Sequence, residues 1–510
     1  MAEFYLLQYT DAHGRYLSQL SRDEGQRNKG LDRFSTYLQT LRSQGAATLI
    51  IDNGDSIQGQ PLVDLWTPDS GLDHPLNLVH RALGVDAFIL GNHEFNFGLE
   101  QLKVIQDRSQ VPWITANILR QGQPVYEPFR IFERGGIKVG VLGLITEFVP
   151  KWEAKSALGD LQFQNVIQAA KTWVPRVREL CDLLVVSYHG GFAVDPITNE
   201  HYCSNELENQ GYQLWEEFRT IDVLFTGHQH RKLFCSRLDR ALMLQPGAQA
   251  RYWAEVAVEV RPRLRCQGQI ISAEDYPPDP DLARVLAPNL AHNQGFLAQV
   301  LGTADPSFAV SDPLTQVWTQ KHPLIQWINE LMLQETGAMI AASSLLDKEI
   351  KGLPTTVTQQ DVLTTYFFHD AVSLLEVDKA TLVAALEKVA DFFVLNAAGE
   401  LEVNPRWAGI RIKSYNYDIF EGIEYELDIS RPLGQRLTHL TRQGQPIADD
   451  ARLTLALTTY RAGGGFYEMF NPEMVIQEFP AKITDLMSAD LKARGHLQVI
   501  PQQNFHIRTA

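Results

Sequence analysis

Over the first 230 residues, short apolar runs recur between helix-patterned stretches, and each run stops abruptly at glycine or a polar cluster. Phe4–Tyr9, Thr48–Ile51, Phe88–Leu90, Ile137–Leu144, Leu183–Val186 and Val223–Phe225 have the length and near-continuous hydrophobicity of strands buried on both faces. Between them, residues 26–43 carry apolar positions at helical spacing (Leu31, Phe34, Tyr37, Leu38, Leu41) up to the stop at Gly45. Residues 75–83, 163–180 and 205–219 read as further helices, with a break expected near Pro175. Alternation on this scale predicts a layered α/β domain, with β-sheets flanked by helices.

The chemically capable residues sit just past the ends of these strands. They are Asp11-x-His13, Gly54-Asp55, Gly91-Asn92-His93-Glu94, His189-Gly190-Gly191 and Gly227-His228-x-His230, in that order. Singly, each is ordinary: Asp-x-His arises by chance, Gly-Asn is turn chemistry, and a lone histidine more often satisfies a core hydrogen bond. Five such pieces, each at the end of an apolar run, point to a site at the carboxyl ends of the strands. Mixed His, Asp and Asn ligation without thiolates suits borderline-to-hard divalent ions such as manganese, iron(II) or zinc. A pair of ions roughly 3.5–4 Å apart needs a bridging carboxylate, and each ion also needs imidazole and oxygen ligands of its own.

At 510 residues the chain exceeds one ordinary core. Its 45% hydrophobic and 21% charged residues are those of a globular protein. A net charge of −16 argues against a surface that coats nucleic-acid polymers. It leaves room for a small anionic substrate where bound cations supply local positive charge. Cys181, Cys203, Cys235 and Cys266 show no CxxC spacing and no dense framework, and read as core or idle surface thiols. The N-terminus runs straight into a strand pattern, and no apolar run approaches the roughly 18 residues of a membrane span. The expected location is cytoplasmic as the chain begins, or periplasmic or secreted if a leader has been removed.

A boundary is expected at Asp275–Pro280, where the composition turns rich in Pro and Asp. This gives a catalytic domain over 1–275, a linker helix over 276–300 with Leu282, Val285, Leu286 and Leu290 on one face, and an α+β domain over 301–510. In that second half, 323–335 and 380–393 read as helices, while 423–429 and 453–459 alternate as strands. Two stretches stand out: Ser414-Tyr415-Asn416-Tyr417-Asp418, and Arg461-Ala462-Gly463-Gly464-Gly465-Phe466. A tyrosine-rich hairpin and a plain glycine loop are the simpler readings of both.

The strand-end motifs and their order resemble the calcineurin-type metallophosphoesterases, and within them the bacterial 5′-nucleotidase family. The resemblance implies two divalent ions (Mn, Zn or Fe), one held by Asp11, His13, Asp55 and His230, the other by Asp55, Asn92, His189 and His228, with Asp55 as the bridge. It makes His93 the catalytic group, and Asn53 and Glu94 supporting residues. In the second domain it implies that Tyr417 and Phe466 sandwich a base, with Tyr415 and Tyr467 as register alternatives and Asn416 and Asp418 reading base or ribose edges. The sequence departs from the family twice. Asn96 stands where many 5′-nucleotidases have the Asp of a His–Asp dyad, and Ala341–Leu345 lacks the phosphate-binding arginine of the Gly-Gly-Ile-Arg motif. The GNHEFN form is similar to the 2′,3′-cyclic-nucleotide 2′-phosphodiesterase/3′-nucleotidase branch. The expected activity is therefore hydrolysis of 2′,3′-cyclic nucleotides and 3′-nucleotides by a metal-activated water. The rivals are 5′-nucleotide or nucleotide-sugar hydrolysis, a silent nucleotide-binding protein, and a manganese hydrolase of a sulfur ester.

Overall fold

A computed structural model of the chain describes residues 3–18, 28–153, 155–201, 207–237, 241–260, 263–368, 371–408 and 414–509. The chain forms two compact units, Met1–Asn293 and Gln294–Ala510.

The first unit is built on two sheets. One has the strand order Arg265–Ser272, Tyr252–Glu259, Phe4–Tyr9, Ala47–Asp52, Ala87–Phe88; the last three run parallel. The other runs Lys232–Ser236, Leu242–Pro246, Val223–Thr226, Leu183–His189, Ile137–Ile145, Phe129–Arg134, with parallel strands inside and an antiparallel strand at each edge. Successive side chains of a strand point to opposite faces, and that period sorts the core. Leu6, Leu49, Ile51, Val139, Val141, Leu183, Val185, Val223 and Phe225 form one apolar cluster drawn from both sheets. Their neighbours Leu7, Tyr9 and Ile50 join Phe34, Leu38 and Val79 of the helices Leu31–Ser43 and Pro75–Leu83. Leu142, Leu144, Leu184, Val186 and Leu224 join Val166, Ala170, Val174 and Val177 of the helix Val166–Arg178. The result is helix, sheet, sheet, helix. Gln8, also on an inner face, donates across to the carbonyl of Thr226 (3.1 Å) and ties the sheets together.

Register decides where the loops emerge. Tyr9 pairs with Asp52, Asp52 with Phe88, Ile145 with His189 and Tyr188 with Thr226, so the carboxyl ends of the parallel strands finish level in each sheet.

Three local expectations change. The helix Val166–Arg178 runs unbroken through Pro175. Pro175 lies on the exposed side, where water can satisfy the carbonyl its missing N–H leaves free, while Val174 and Val177 anchor the other face. The helix expected over 205–219 is only Gly211–Glu217; 202–206 lie outside the described residues, and Leu207–Gln210 form a turn whose Asn209 accepts from the backbone of Gly191 (3.0 Å). The first helix begins at Leu31, after Gly30 at φ 139°, and 26–27 lie outside the described residues. Cys203 is also outside them; Cys181, Cys235 and Cys266 are free thiols.

The helix Pro280–Leu297 buries Leu282 and Leu286 in the core of the first unit, and its Asn289 and Asn293 donate to the carbonyls of Asp73 and Pro61 (3.0 Å each). The second unit centres on a sheet ordered Ile419–Glu421, Ile340–Ser343, Arg452–Thr458, Ala371–Asp378, Val475–Lys482. The helices Pro323–Thr336, Lys379–Ala390 and Ile483–Arg494 contribute Trp327, Leu386 and Met487 to its core. Phe393, expected at the end of the second of these helices, instead starts the short strand Phe393–Leu395.

A candidate two-cation site at the strand ends

Five strand ends of the first unit converge on one spot. Asp11 and His13 follow the first strand, Asp55 the second, Asn92 and His93 the third, His189 closes its strand, and His228 and His230 follow Val223–Thr226. Asp11, His13 and His230 offer ligand atoms within 4.8 Å of one another, and so do Asp55, His189 and His228.

Hydrogen bonds behind the site fix which nitrogen of each ring faces inward. His189 donates from Nδ1 to the carbonyl of Asn53 (2.5 Å), leaving Nε2 3.2 Å from Asp55 Oδ2 and 3.3 Å from Asn92 Oδ1. His13 Nδ1 donates to Gln58 Oε1 (3.2 Å), and its Nε2 lies 3.0 Å from His230 Nε2. His228 Nε2 is 3.2 Å from Glu208, while Nδ1 lies 2.9 Å from Asn92 Oδ1. Acceptors set this close inside a protein cost energy unless a proton or a cation lies among them. The donor set, two carboxylates, one amide oxygen and four imidazoles, fits two divalent cations.

Without a cation the His189 ring shares a proton with Asp55, whose carboxylate carries its pKa up to about 10. Burial disfavours charge at each of these groups, yet His189 and His93 hold Asp55 well below the usual carboxylate range. His230 and His189 hold Asp11 below it too, against the same burial. His13, buried beside His230, falls to about 3 and is neutral, as a ligand must be.

Asp11, His13, Asp55, His228 and His230 all have positive φ, between 47° and 69°. Such backbone costs roughly 1–3 kcal/mol per residue outside glycine and persists only where surroundings impose it. Here Asp11 and His13 donate backbone N–H groups to the carbonyls of Gly54 (2.9 Å) and Asp55 (2.8 Å), and the N–H of His228 points at the Asp11 carboxylate (3.0 Å). Buried Glu94 accepts from the backbones of Asp55 (2.8 Å), Ser56 (2.7 Å) and Gly91 (2.6 Å), tying the second strand end to the third. Gly91 has no room for a side chain: a Cβ would sit 2.3 Å from Asp55 Oδ1.

His93 stands apart from the two triads, its ring centroid 5.2 Å from that of His13. Its N–H donates to Asp55 Oδ1 (2.8 Å) and its Nδ1 meets Asn96 Oδ1 (2.7 Å). Burial opposes its charge, but Asp55, the bond to Asn96, Glu153 and Glu94 carry its pKa above the ordinary value.

Residues 4–232 match the family model of the calcineurin-like phosphoesterases, and 300–472 match that of the 5′-nucleotidase C-terminal domain. The chain belongs to the calcineurin-like phosphoesterases that carry a 5′-nucleotidase C-terminal domain. It is similar to a Yersinia enterocolitica protein named 2′,3′-cyclic-nucleotide 2′-phosphodiesterase/3′-nucleotidase, at 24% identity over 99% of this chain and 88% of that one. A Haemophilus influenzae protein of the same name is 22% identical over 91% of this chain and 80% of its own length. Among solved structures, a Staphylococcus aureus protein described as a 5′-nucleotidase, in complex with alpha-ketoglutarate, superposes with a TM-score of 0.89 at 26% identity, covering 99% of both chains. By family this phosphoesterase is a hydrolase of phosphoester bonds.

In its 5′-nucleotidase C-terminal domain most side chains of the expected substrate loops are buried. Tyr417 is 1% exposed, stacks on Phe392 (centroids 4.4 Å apart) and donates its hydroxyl to the carbonyl of Trp318 (2.8 Å). It is a core residue with no face left for a base. Tyr467 is equally buried and donates to the carbonyl of Asn416 (2.9 Å). Asn416 and Asp418 are buried on Arg461, which pairs with Asp418 at 2.7 Å and donates to Asn416 Oδ1 at 3.2 Å. Their polar atoms serve the fold, because a buried arginine requires them. The half-exposed aromatics of the two loops are Tyr415 and Phe466. Phe466 has φ 64°, rests edge-on against Trp407 (4.6 Å) and lies under the Lys388 ammonium (4.5 Å).

Several contributors carry no clear mark in the sequence. Trp152 stacks on His228, with centroids 5.2 Å and planes 25° apart. Glu208 meets the same ring, Gln58 meets His13, and Arg461 joins the two loops of the second unit. Of these only Arg461 has a signal, as the charged residue of the glycine-run motif.

Proposed function

We propose that this protein hydrolyses nucleotide phosphoesters, foremost 2′,3′-cyclic nucleotides and 3′-nucleotides, at a site holding two divalent cations. Asp11, His13 and His230 would hold one cation, His189, His228 and Asn92 the other, and Asp55 would bridge them. Manganese, iron(II) and zinc all suit these ligands. When bound, such a pair supplies Lewis-acid charge and a water made nucleophilic near neutral pH.

The chain's own residues do the rest. His93 donates from Nε2 to the phosphoryl or leaving-group oxygen, with Nδ1 engaged by Asn96. The Asp55 carboxylate holds the backbone of His93 through Oδ1, so the proton donor and the bridging ligand are positioned as one piece. Tyr415 and Phe466 are the aromatic faces on which a base would stack. The observation that carries the reading is the convergence of two His/Asp triads with His93 alongside. The cyclic and 3′ preference is supported by the neutral Asn96 behind His93 and by the names of the full-length relatives. The rival is hydrolysis of 5′-nucleotides or nucleotide-sugars, supported by the likeness to the Staphylococcus aureus structure.

The deciding experiment assays cyclic, 3′- and 5′-nucleotides with metal-stripped enzyme after adding back manganese, zinc or magnesium. Turnover of cyclic and 3′-nucleotides well above 5′-nucleotides supports the reading. The opposite order establishes the rival, and no turnover with any ion overturns both.

A further inference from the structure

Asn96 is bonded on both sides. Its Oδ1 lies 2.7 Å from His93 Nδ1, and its Nδ2 donates to Glu153 Oε1 at 2.5 Å. Glu153 lies 57 residues further along the chain, in a segment that leaves the strand Ile137–Ile145 beside His189. That segment is pinned: Thr146 N donates to the His189 carbonyl (2.9 Å), Phe148 and Val149 are buried, and Glu153 N closes the short helix Val149–Trp152 on Val149 O (3.0 Å). Trp152, its neighbour, stacks on His228.

An ionised carboxylate can only accept hydrogen bonds, so Asn96 must turn its NH₂ toward Glu153 and its oxygen toward His93. An amide oxygen can only accept, so His93 Nδ1 must carry a proton. One carboxylate thus fixes the amide's orientation and, through it, the state of the ring. Were the amide free to flip, its NH₂ would meet Nδ1, and a ring that must donate from Nε2 while keeping a proton on Nδ1 would be disfavoured.

We propose that Glu153 is the positioning residue for His93, acting through Asn96 as a His93–Asn96–Glu153 chain that places the missing carboxylate one residue further back. The inference rests on His93 being the catalytic group. Glu153 touches no reacting atom; it orders Asn96 and puts a negative charge at the far end of the chain. Charge-assisted hydrogen bonds are about twice as strong as neutral ones, and the bond Glu153 accepts is of that kind.

The test uses full-length enzyme reconstituted with manganese, a nucleobase-free aryl phosphodiester as substrate, and four variants: Glu153→Gln, Asn96→Asp, the two combined, and His93→Asn. Glu153→Gln should keep both metals and the same KM while kcat falls roughly 10- to 100-fold, the scale known for losing the hydrogen-bond partner behind a metal-bound histidine. Asn96→Asp alone should also lower kcat, because two carboxylates then abut. Combined with Glu153→Gln it should recover most of the loss, since the carboxylate then meets the ring directly. Native kcat in Glu153→Gln, or a double variant no better than the worse single one, overturns the proposal. If Glu153→Gln does not fold, the double variant decides alone: turnover no better than that of Asn96→Asp overturns it. A fully active His93→Asn would instead sink the catalytic reading of His93.

Discussion

His13 Nε2 and His230 Nε2 lie 3.0 Å apart, although 217 residues separate them in the chain. His13 gives its Nδ1 proton to Gln58, so its inner nitrogen carries only a lone pair. Asp11 Oδ1 lies 3.4 Å from the same His230 nitrogen. Two imidazole nitrogens and a carboxylate oxygen this close together could share a cation.

On the proposed assignment Asp55 would bridge both cations, with Oδ2 beside His189 and Oδ1 accepting from the backbone of His93. Asp55→Asn should therefore lose more bound metal and more activity than His230→Ala, which damages one triad and removes a ring already 40% exposed. Elemental analysis of the purified variants checks this. Two full equivalents retained in Asp55→Asn would refute the bridging assignment.

His93→Asn should keep both metals while kcat falls by roughly 10²–10⁴, the range of a lost general acid. Metal loss with this substitution would make His93 a ligand. Measuring metal content beside turnover separates the two.

For the substrate loops, base stacking on an aromatic ring is worth about 1–3 kcal/mol per alanine substitution, roughly 5- to 150-fold in binding. Tyr415→Ala and Phe466→Ala should raise KM for nucleotides by such factors and leave a small aryl phosphodiester nearly untouched. Tyr417→Ala should do something else: remove a buried aromatic, cost about 3–5 kcal/mol of stability, and harm both substrates alike. A nucleotide-selective KM effect at Tyr417, with unchanged denaturation, would restore the register expected from sequence.

Arg461→Ala should destabilise the protein by about 3–5 kcal/mol, because it strands a buried carboxylate. Burial already holds Asp418 above its usual range while Arg461 pulls the other way. Without the arginine that pKa rises further. A raised carboxylate pKa favours the protonated fold, so the deficit should shrink as pH falls from neutral toward about 4. Adding Asp418→Asn should recover part of the loss at neutral pH. Chemical denaturation across that pH range reads both effects, and a deficit that grows on acidification would contradict the pairing.

Much of this protein is written locally. The continuous apolar runs give strands buried on both faces, the 3.6-residue spacing of Leu31, Phe34 and Leu38 gives a helix, and each polar triplet sits next to the run it terminates. Those are short-range patterns, and they place Asp11, His13, Asp55, Asn92, His189, His228 and His230 at strand ends from the chain alone. What tertiary structure decided is everything that depends on who lies opposite. The positive φ of five site residues is imposed by neighbouring strand ends and leaves no mark in composition. Pro175 could stay in its helix because its side faces solvent, a property of the packed helix and not of the tripeptide. Tyr417 and Tyr415 are two residues apart in one motif, and only the surrounding core buries the first and leaves the second half-exposed. Glu153 reaches Asn96 across 57 residues, although the two follow strands of different sheets. A sequence states which groups a chain owns; a carboxylate's partner is fixed only by a register between strands, and no local period encodes that.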